Sequence, residues 1–348
     1  MIVAIYNARN VCKLLYAVET RSLSKIYKNG LKAVDDISMR VENGEIFGFL
    51  GPNGAGKSTT IMILTTLLKP TLGEAYVAGF DVVKQAKKVR QNIGYVQQDS
   101  TVDEYLTGRE NLELQAKLNH IPKDSIKNRI SDILNLVELS DRQDDAVVTY
   151  SGGMRKRLDI AGGLLHRPKV LFLDEPTLGL DIQTRYKIWE YIKTLHKEFE
   201  MSIFLTTHYM EEADRLCGNI SIIDHGKIMV TGSPKSLKNA LGSEVVVFEV
   251  NSDLKLGDLL SEIKNIPVVK DVTTDGYEVR VFSSSGNHVT PKIFQLASYM
   301  GIKIESISLT SPTLDDVFLS YTGRELRDEN GDHYNRKKER EKMRRLRT

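Results

Sequence analysis

Residues Gly51–Thr59 read GPNGAGKST and fit the pattern G-x-x-x-x-G-K-[ST], with Gly51, Gly56, Lys57 and Ser58 at the fixed positions. The apolar run GEIFGFL leads into this segment, and the helix-compatible run STTIMILTTLL leads out of it. A strand, a glycine-rich loop and a helix in this order predict a phosphate-binding loop, because backbone N–H groups of the loop and of the first helical turn point at phosphate oxygens. We expect Lys57 to neutralise the β- and γ-phosphates of a nucleotide and the Ser58 hydroxyl to bind Mg²⁺. The other loop residues expected around the nucleotide are Pro52, Asn53, Gly54, Ala55 and Thr59.

Two adjacent acids follow a second apolar strand in the sequence KVLFLDEP, residues 169–176. The short apolar run from Val170 to Leu173 predicts a buried strand of a parallel sheet. Such sheets bind ligands at the carboxyl ends of their strands, so Asp174 and Glu175 are expected at that edge. We expect Asp174 to hold Mg²⁺ directly or through water. Glu175 is the expected general base for an attacking water, a role that contributes roughly 10²–10⁴ in rate.

Length and composition predict a chain of two domains, since it has 348 residues of which 41% are apolar. No run approaches the roughly 20 apolar residues that span a bilayer. Residues 1–17 have polar interruptions and no cleavage-like end, so we expect an N-terminal extension rather than a signal peptide. Cys12 and Cys217 are isolated, which indicates neither a metal site nor a disulfide and fits a reducing cytosol.

The formal net charge of +2 is unevenly distributed along the chain. The run from Arg336 to Arg347 has eight basic and two acidic side chains, a net +6, which leaves about −4 for the rest. A slightly acidic body is a poor nucleic-acid binder, so no nucleic-acid partner is expected. Two interpretations of the basic run remain open: a solvated charged tail, and a contact with an anionic membrane surface.

Three further motifs follow the phosphate loop in a specific order. Residues Tyr150–Met154 read YSGGM, Leu178–Asp181 read LGLD, and His208 lies in FLTTHYMEEAD. With these motifs, the chain from about Val18 to Gly242 resembles the ATP-binding-cassette (ABC) ATPases, in which they are the signature motif, the D-loop and the switch histidine. The resemblance implies an α/β P-loop cassette, with a RecA-like core sheet and a helical subdomain, that binds ATP with Mg²⁺ and hydrolyses it.

The resemblance also implies roles for single residues. Gln98 in IGYVQQDS corresponds to the family's Q-loop glutamine, expected in catalysis and at Mg²⁺, with the adjacent Gln97 as the alternative. His208 is expected to assist hydrolysis. Tyr27 in SKIYKNG stands where the family stacks an aromatic ring on adenine, although a lone tyrosine can also serve packing alone. The signature and D-loop residues expected at the nucleotide are Ser151, Gly152, Gly153 and Asp181.

The signature departs from the commonest family form, which has Leu first and Gln or Glu last, because Tyr150 and Met154 stand there. The three residues between them are kept, so the phosphate chemistry is expected to survive. The segments SGGMRKRLDIA, VDEYLTGRENL and SPTLDDVFLSYTGRELRD are most similar to the daunorubicin-resistance branch, whose members are ATPase subunits of drug and lipid exporters.

Helical periodicity replaces strand patterns at residues 99–167, which resembles the helical subdomain inside an ABC domain at 18–242. Thr107 followed by Glu110 predicts a capping box that opens a helix through His120. From Glu244 to Leu309 the runs predict the order β-α-β-β-α-β, with the second helix at residues 291–300, which is a ferredoxin-like arrangement.

These patterns predict an accessory domain at 243–322, closed by a short helix from Leu314 to Tyr321, and a basic tail at 323–348. Three roles for the accessory domain remain open: binding a ligand, pairing with its copy in a second chain, and contacting the transporter.

The resemblance implies that the chain is the energy-coupling subunit of an ABC exporter. Two copies, or this chain and a homologous ATPase, would clamp two ATP molecules and drive a separate integral-membrane permease that exports a drug or lipid. Relatives receive that partner near Gln98–Tyr105, and the chain would lie in the cytoplasm, peripheral on the inner face of the cell membrane. The alternative is a soluble non-transport ABC ATPase acting on nucleic acid or the ribosome. The sequence lacks the long insertion or second cassette usual for such proteins.

Overall fold

The computed structural model describes residues 16–250 and 256–322, and its contacts divide the chain into two units, before and after the bond between Ser233 and Pro234. Residues 1–15 with Cys12, the first residues of the helix predicted after Val250, and the basic tail with Arg336–Arg347 lie outside the described residues. In the part of the chain that is described, no helix combines the length and apolar character that crossing a membrane requires.

A four-stranded antiparallel sheet begins the first unit. Its strands are β1 (Tyr16–Ile26), β2 (Lys32–Glu42), β4 (Leu72–Val77) and β5 (Phe80–Asp81), in the spatial order β2-β1-β4-β5. Buried residues alternate with exposed ones along β2 (Val34, Ile37, Met39 and Val41), so one face of this sheet packs on the core.

A six-stranded sheet forms the centre of the first unit. In spatial order its strands are β10 (Lys227–Gly232), β9 (Asn219–Asp224), β3 (Ile46–Leu50), β8 (Ser202–Thr207), β7 (Val170–Asp174) and β6 (Ile93–Val96). All neighbouring strands are parallel except β10, which runs antiparallel to β9. Every residue of β3, β7 and β8 is buried, as continuous apolar runs predict for strands covered on both faces.

Aromatic side chains join the three central strands. The ring of Phe204 on β8 lies 5.6 Å from that of Phe47 on β3 and 5.5 Å from that of Phe172 on β7, measured between centroids. Such ring pairs add to the free energy gained by burying the rings. Because the three strands are parallel and locked in register, the residues that follow them meet at one edge of the sheet.

Among the described residues of the first unit, seven α-helices accompany these sheets: α1 (Lys57–Leu64), α2 (Ala86–Asn92), α3 (Gly108–Leu118), α4 (Lys123–Leu136), α5 (Gly152–Leu164), α6 (Ile182–Phe199) and α7 (Met210–Leu216), with 3-10 turns at Ser140–Arg142 and Val147–Thr149. The predicted capping box is confirmed, since the Glu110 N–H donates to the Thr107 hydroxyl and the Glu110 carboxylate accepts from the Thr107 N–H. Helix α3 ends at Leu118, earlier than predicted, because His120 has φ +54° and cannot continue a right-handed helix.

The second unit starts with helix α8 (Pro234–Leu241). It continues with β11 (Glu244–Val250), α9 (Leu256–Lys264), β12 (Val269–Asp275), β13 (Glu278–Ser283), α10 (Gly286–Met300), β14 (Ile304–Thr310) and α11 (Leu314–Thr322). The strands form an antiparallel sheet in the order β12-β13-β11-β14. The predicted β-α-β-β-α-β order is therefore confirmed. The small domain has its own hydrophobic core, which includes Phe248, Leu259, Val281 and Ile293.

Two details of the second unit differ from the sequence prediction. Helix α10 begins at Gly286 rather than at Pro291, although proline usually marks a first turn. The Thr290 hydroxyl donates to the Gly286 carbonyl oxygen at 2.9 Å, within the turn before the proline. The contact division falls before α8, whereas the pattern of strands placed the domain boundary after Gly242. The predicted domain bounds stay a prediction.

Candidate functional site

The phosphate loop joins β3 to α1 at the carboxyl edge of the six-stranded sheet. Gly56, which precedes the first helical residue Lys57, has φ +107°, a conformation that side chains other than glycine rarely adopt. A Cβ at Gly56 would lie 2.3 Å from the carbonyl oxygen of Ala33, and one at Gly51 would lie 2.3 Å from that of Ile223. The backbone at Ala33 and Ile223 therefore approaches the loop so closely that only glycine fits at these two positions.

The residues between these glycines form a turn whose tip faces solvent. Asn53 and Gly54 are exposed, whereas Ala55 is buried and its N–H donates to the Pro52 carbonyl oxygen at 3.2 Å. The Ala55 carbonyl oxygen accepts from the N–H of Gly226 at 2.9 Å. The turn is thus anchored beside the start of α1, the arrangement in which backbone N–H groups hold phosphate oxygens.

Three predicted residues from three separate segments form one cluster of charged and polar groups, in which Lys57 and Glu175 are buried and His208 is partly buried. The Lys57 ammonium lies 3.0 Å from Oε1 of Glu175, and Nδ1 of His208 lies 3.0 Å from Oε2 of the same carboxylate. Lys57 also donates to the carbonyl oxygens of Gly51 and Pro52 at 2.8 and 3.2 Å. The candidate base therefore sits directly against the lysine that is expected to bind phosphate.

The backbone of Glu175 is strained. Its φ of +46° lies in the left-handed region, which costs a residue with a side chain roughly 1–2 kcal/mol. Its N–H points at both the carbonyl oxygen and the hydroxyl of Thr206 on β8, each at 3.1 Å. Contacts to the neighbouring strand thus hold the residue in a conformation that turns its side chain out of the strand run and toward the loop.

Asp174, the last residue of β7, meets the phosphate loop through Ser58. Its Oδ1 accepts from the Thr206 hydroxyl at 2.5 Å and lies 3.5 Å from the Ser58 Oγ. The carboxyl is buried. The structure therefore brings together two of the three side chains that the sequence assigned to a metal ion, Ser58 and Asp174.

The two adjacent carboxyl groups have their pKa values shifted in opposite directions. Burial raises the pKa of Asp174, and the nearby Glu175 carboxylate adds to this, against the hydrogen bonds from Thr206 and Ser58. Burial acts on Glu175 in the same direction, but the hydrogen bond with His208 and the charge of Lys57 outweigh it and hold the pKa of Glu175 below its usual range. Neighbouring acids whose pKa values diverge are suited to different tasks. Glu175 stays ionised and able to accept a proton.

Tyr27 follows the end of β1 and lies beside the phosphate loop. Its hydroxyl is 3.4 Å from the Thr59 Oγ1, and the Lys25 ammonium lies 5.7 Å from the centre of its ring. The side chain is half-buried. This position is compatible with the predicted contact to adenine.

Gln98 follows the end of β6, and its side chain is exposed, as is that of Gln97. The backbone there is held by helix α5, because the Lys156 ammonium donates to the carbonyl oxygens of Gln97 and Gln98 at 2.9 and 3.1 Å. Burial lowers the pKa of Lys156. The choice between the two glutamines stays a prediction.

The signature residues lie at the start of helix α5. The Ser151 hydroxyl caps it by accepting from the Met154 N–H at 3.3 Å, and the Tyr150 hydroxyl donates to the Arg142 carbonyl oxygen at 2.6 Å. A Cβ at Gly153 would lie 2.5 Å from Cγ2 of Thr184, so close packing against α6 requires glycine. Tyr150 in place of leucine thus fills a structural role outside the phosphate-binding residues.

The D-loop residue Asp181 caps helix α6. Its Oδ1 accepts from the Thr184 N–H at 3.0 Å, and the carboxylate is exposed. Across the described ranges, no hydrogen bond or ion pair joins the side chains of Ser151, Gln98 or Asp181 to the cluster at Lys57. The structure therefore gathers one half of the predicted site and leaves the other half on the surface.

The sequence did not predict Thr206, although this residue forms hydrogen bonds with the Asp174 carboxylate and the Glu175 N–H. The only signal is its place at the end of the apolar run SIFLTT, which becomes informative once β8 is known to neighbour β7. A polar residue at the carboxyl end of a buried strand is suited to support a site at that edge. Lys156 was missed for a similar reason, because its partners are carbonyl groups of a distant loop.

A glycine-rich loop between a strand and a helix, a lysine inside it, a serine paired with an acid, and a second carboxylate after strand β7 of the same sheet define a P-loop nucleoside triphosphatase. Two family models match the chain. One describes an ABC transporter and matches residues 34–178; the other describes the C-terminal domain of DrrA1-3-like ATP-binding proteins and matches residues 232–322.

Individual proteins are similar over most of the chain. The daunorubicin resistance ATP-binding protein DrrA2 of Streptomyces coeruleorubidus is 39% identical over 88% of this chain and 95% of its own length. The linearmycin resistance ATP-binding protein LnrL of Bacillus subtilis is 36% identical over 89% of this chain and 100% of its own. Among solved structures, the dimeric cassette MJ0796 bound to ADP and Pi is 28% identical, with a TM-score of 0.56 over 62% of this chain and 98% of that one.

The chain belongs to the ABC transporter ATP-binding proteins, in the group of the daunorubicin-resistance ATP-binding proteins. It is an ATPase, the ATP-hydrolysing subunit of a transporter of the export type. The predicted family, fold class and enzyme class are confirmed. The matches give no support to the alternative of an ATPase acting on nucleic acid or the ribosome.

Proposed function

We propose that the chain powers export of a hydrophobic compound, a drug or a lipid, through a separate membrane permease. The observation that carries the ATPase half of this proposal is the cluster of Lys57, Glu175 and His208, which joins a phosphate-binding cation to a positioned carboxylate. Similarity to proteins named for resistance to daunorubicin and to linearmycin supports a hydrophobic cargo.

In this proposal, three side chains share the chemistry. Lys57 binds the β- and γ-phosphates, and in doing so exchanges its contact with Glu175 for phosphate oxygens. The released Glu175 carboxylate accepts the proton of the attacking water as general base. His208 donates to one carboxylate oxygen and keeps the other directed at the water. The ion pair between Lys57 and Glu175 therefore couples phosphate binding to activation of the base.

Mg²⁺ fits the oxygen groups of Ser58 and Asp174. Their oxygens lie 3.5 Å apart at the same edge of the sheet, and carboxylate and hydroxyl oxygens are the ligands that this ion takes. With Gln98 as the third expected ligand, they would hold the ion where it neutralises charge on the β- and γ-phosphates. A cation there also favours the ionised form of Asp174 against the effect of its burial.

A second protomer completes the nucleotide site. Ser151, Gly152 and Asp181 are exposed and separate from the Lys57 cluster, and Ser151 with the first turn of α5 presents N–H groups suited to phosphate. We infer that these residues bind the ATP held by the phosphate loop of a second copy or of a homologous ATPase. The dimeric cassette solved with ADP and Pi supports this arrangement.

The substitution Ser151→Arg tests the second protomer, because a long cation there obstructs the phosphate contact. In a background that binds ATP without hydrolysing it, light scattering coupled to size exclusion should find dimers with Mg·ATP, and Ser151→Arg should return monomers. Thr149→Arg, two residues earlier and also exposed, is the matched control and should remain dimeric. Dimers that survive Ser151→Arg would contradict the shared site.

The permease is expected to dock on the surface around helix α3 and the segment before it. Three exposed apolar side chains occur there: Tyr105 at 92%, Leu118 at 64% and Leu114 at 45% exposure. Exposed apolar groups of this size mark interaction surfaces when they cluster. The chain would then work in the cytoplasm, bound peripherally to the inner face of the cell membrane through its permease.

The basic tail from Arg336 to Arg347 is a second candidate contact with the membrane. Each basic residue near an anionic surface could add roughly 1 kcal/mol of attraction, which falls with salt. Deleting residues 336–348 should weaken binding to phosphatidylserine vesicles at low salt and leave basal ATPase activity unchanged. Equal binding by the full and the shortened chain would show that the tail is only solvated.

Affinity capture tests the proposed transport function. The tagged chain should copurify, from detergent-solubilised membranes, with a protein of about six membrane-spanning helices, and the pair reconstituted in vesicles should move daunorubicin or a fluorescent lipid with ATP. The ATPase-dead Lys57→Ala variant is the control, since it should capture the same permease without transport. Reconstituted pairs that hydrolyse ATP yet move neither class of compound would contradict the cargo assignment.

A further inference from the structure

Helix α7 carries a carboxyl group that solvent does not reach. Glu212 is 0% exposed, and its Oε1 accepts from the Thr177 hydroxyl at 2.8 Å and from the Trp189 indole N–H at 2.9 Å. None of these three residues belongs to the phosphate loop or to the Lys57 cluster.

These two hydrogen bonds join three segments that each carry a site residue. Thr177 lies two residues after Glu175 and opens the segment that leads to Asp181. Trp189 lies on α6, the helix that Asp181 caps. Glu212 lies on α7, four residues after His208. One buried carboxyl oxygen therefore ties the segment of the candidate base to the segment of the histidine that contacts it.

A carboxyl group is a costly choice for this place. Burial raises the pKa of Glu212, and the hydrogen bonds from Thr177 and Trp189 oppose that shift. In the described part of the chain, no basic side chain forms an ion pair with Glu212. Buried polar groups without such compensation lower stability unless they are fully hydrogen-bonded, so packing alone would favour an apolar side chain here.

We propose that Glu212 is a positioning residue that holds the segments of Glu175 and His208 together, so that His208 keeps its hydrogen bond to the Glu175 carboxylate. This inference rests on the proposed role of Glu175 as the base. It predicts that loss of the Glu212 acceptor slows hydrolysis at saturating ATP without weakening ATP binding, because its hydrogen bonds within the described residues, to Thr177 and Trp189, lie outside the phosphate loop.

Paired substitutions in the full chain separate positioning from general stability. Glu212→Gln keeps the acceptor oxygen, whereas Glu212→Leu removes it at similar volume. Thr177→Ser keeps the donor hydroxyl, whereas Thr177→Val removes it. Glu19→Leu is the matched control, because Glu19 is also a buried carboxylate of the cassette, bonded to Arg21 and Arg40 on the antiparallel sheet.

We expect kcat to fall at least tenfold in Glu212→Leu and at least threefold in Thr177→Val, with KM for ATP within twofold of wild type. Glu212→Gln, Thr177→Ser and Glu19→Leu should keep kcat within threefold. The imidazole resonances of His208, followed by NMR in histidine-labelled protein, should shift in the two damaging variants and not in Glu19→Leu.

Three outcomes would overturn the inference: a wild-type kcat in Thr177→Val, a rise in KM that accounts for the loss of activity, or His208 resonances unchanged in every variant. If Glu212→Leu does not fold, Thr177→Val and its serine partner decide the question. The NMR measurement reports the contact between His208 and Glu175 without turnover. A failure of Glu175 as the base, seen as a wild-type rate in Glu175→Gln, is therefore distinguishable from a failure of the positioning role.

Discussion

Glu175→Gln is the substitution for which the structure makes the sharpest prediction. The amide cannot accept the proton of the attacking water, and loss of a general base worth roughly 10²–10⁴ in rate raises the barrier by about 3–5 kcal/mol. The same change removes the charge that holds Lys57 at 3.0 Å. Hydrogen bonds to charged groups contribute roughly 1.5–3 kcal/mol. In the variant, phosphate therefore no longer has to displace a charged carboxylate from Lys57.

The two effects predict opposite changes in binding and turnover. Phosphate release at saturating Mg·ATP should fall at least a hundredfold, whereas the dissociation constant for ATP, measured by calorimetry, should stay unchanged or decrease by up to about tenfold. Glu211→Gln is the control, because this carboxylate is exposed on α7 and, in the described residues, bonds only Tyr186 and Arg215. A Glu175→Gln protein that hydrolyses ATP at the wild-type rate would refute the assignment of the base.

Three further predictions concern adenine, pH and the domain boundary. Tyr27→Ala should weaken ATP binding by about threefold to tenfold, as loss of roughly 0.5–1.5 kcal/mol of stacking implies, while binding of tripolyphosphate stays unchanged in the same titration. Because the pKa of Glu175 lies below its ordinary 4.5, its stabilising contribution is complete above that pH and is lost as the pH falls through the lowered value. Chemical unfolding should therefore show the stability difference between wild type and Glu175→Gln shrinking below pH 4.5. A chain ending at Ser233 should bind ATP and remain at least as soluble as one ending at Gly242, since α8 belongs by contacts to the second unit.

The phosphate loop and the two acids could be predicted because their chemistry is local. The spacing from Gly51 to Ser58 encodes the turn directly, and the apolar run before Asp174 encodes its place at a strand end. The capping box at Thr107 is local in the same sense. Each of these required only neighbouring residues, so each could be predicted without knowing the order of the strands.

Other parts of the site depend on which elements become neighbours. Thr206 supports both acids only because β8 lies beside β7. A role for Glu212 can be inferred only when α7 is known to lie against Thr177 and Trp189. Helix α8 has an apolar face, yet its partner α11 lies at the far end of the second unit, so periodicity alone did not show where the unit begins.

The left-handed backbone at Glu175 affects which residue would be favoured at this position if the protein were selected for stability alone. At φ +46° a glycine would relieve roughly 1–2 kcal/mol of steric cost, so Glu175→Gly is expected to recover part of the stability that loss of its contacts with Lys57 and His208 removes. Glu175→Ala, by contrast, removes the carboxylate but keeps the steric cost of a Cβ in the left-handed conformation. Position 175 is therefore a place where the enzyme trades folding free energy for turnover, and variants optimised for thermostability alone would drift toward inactivity there.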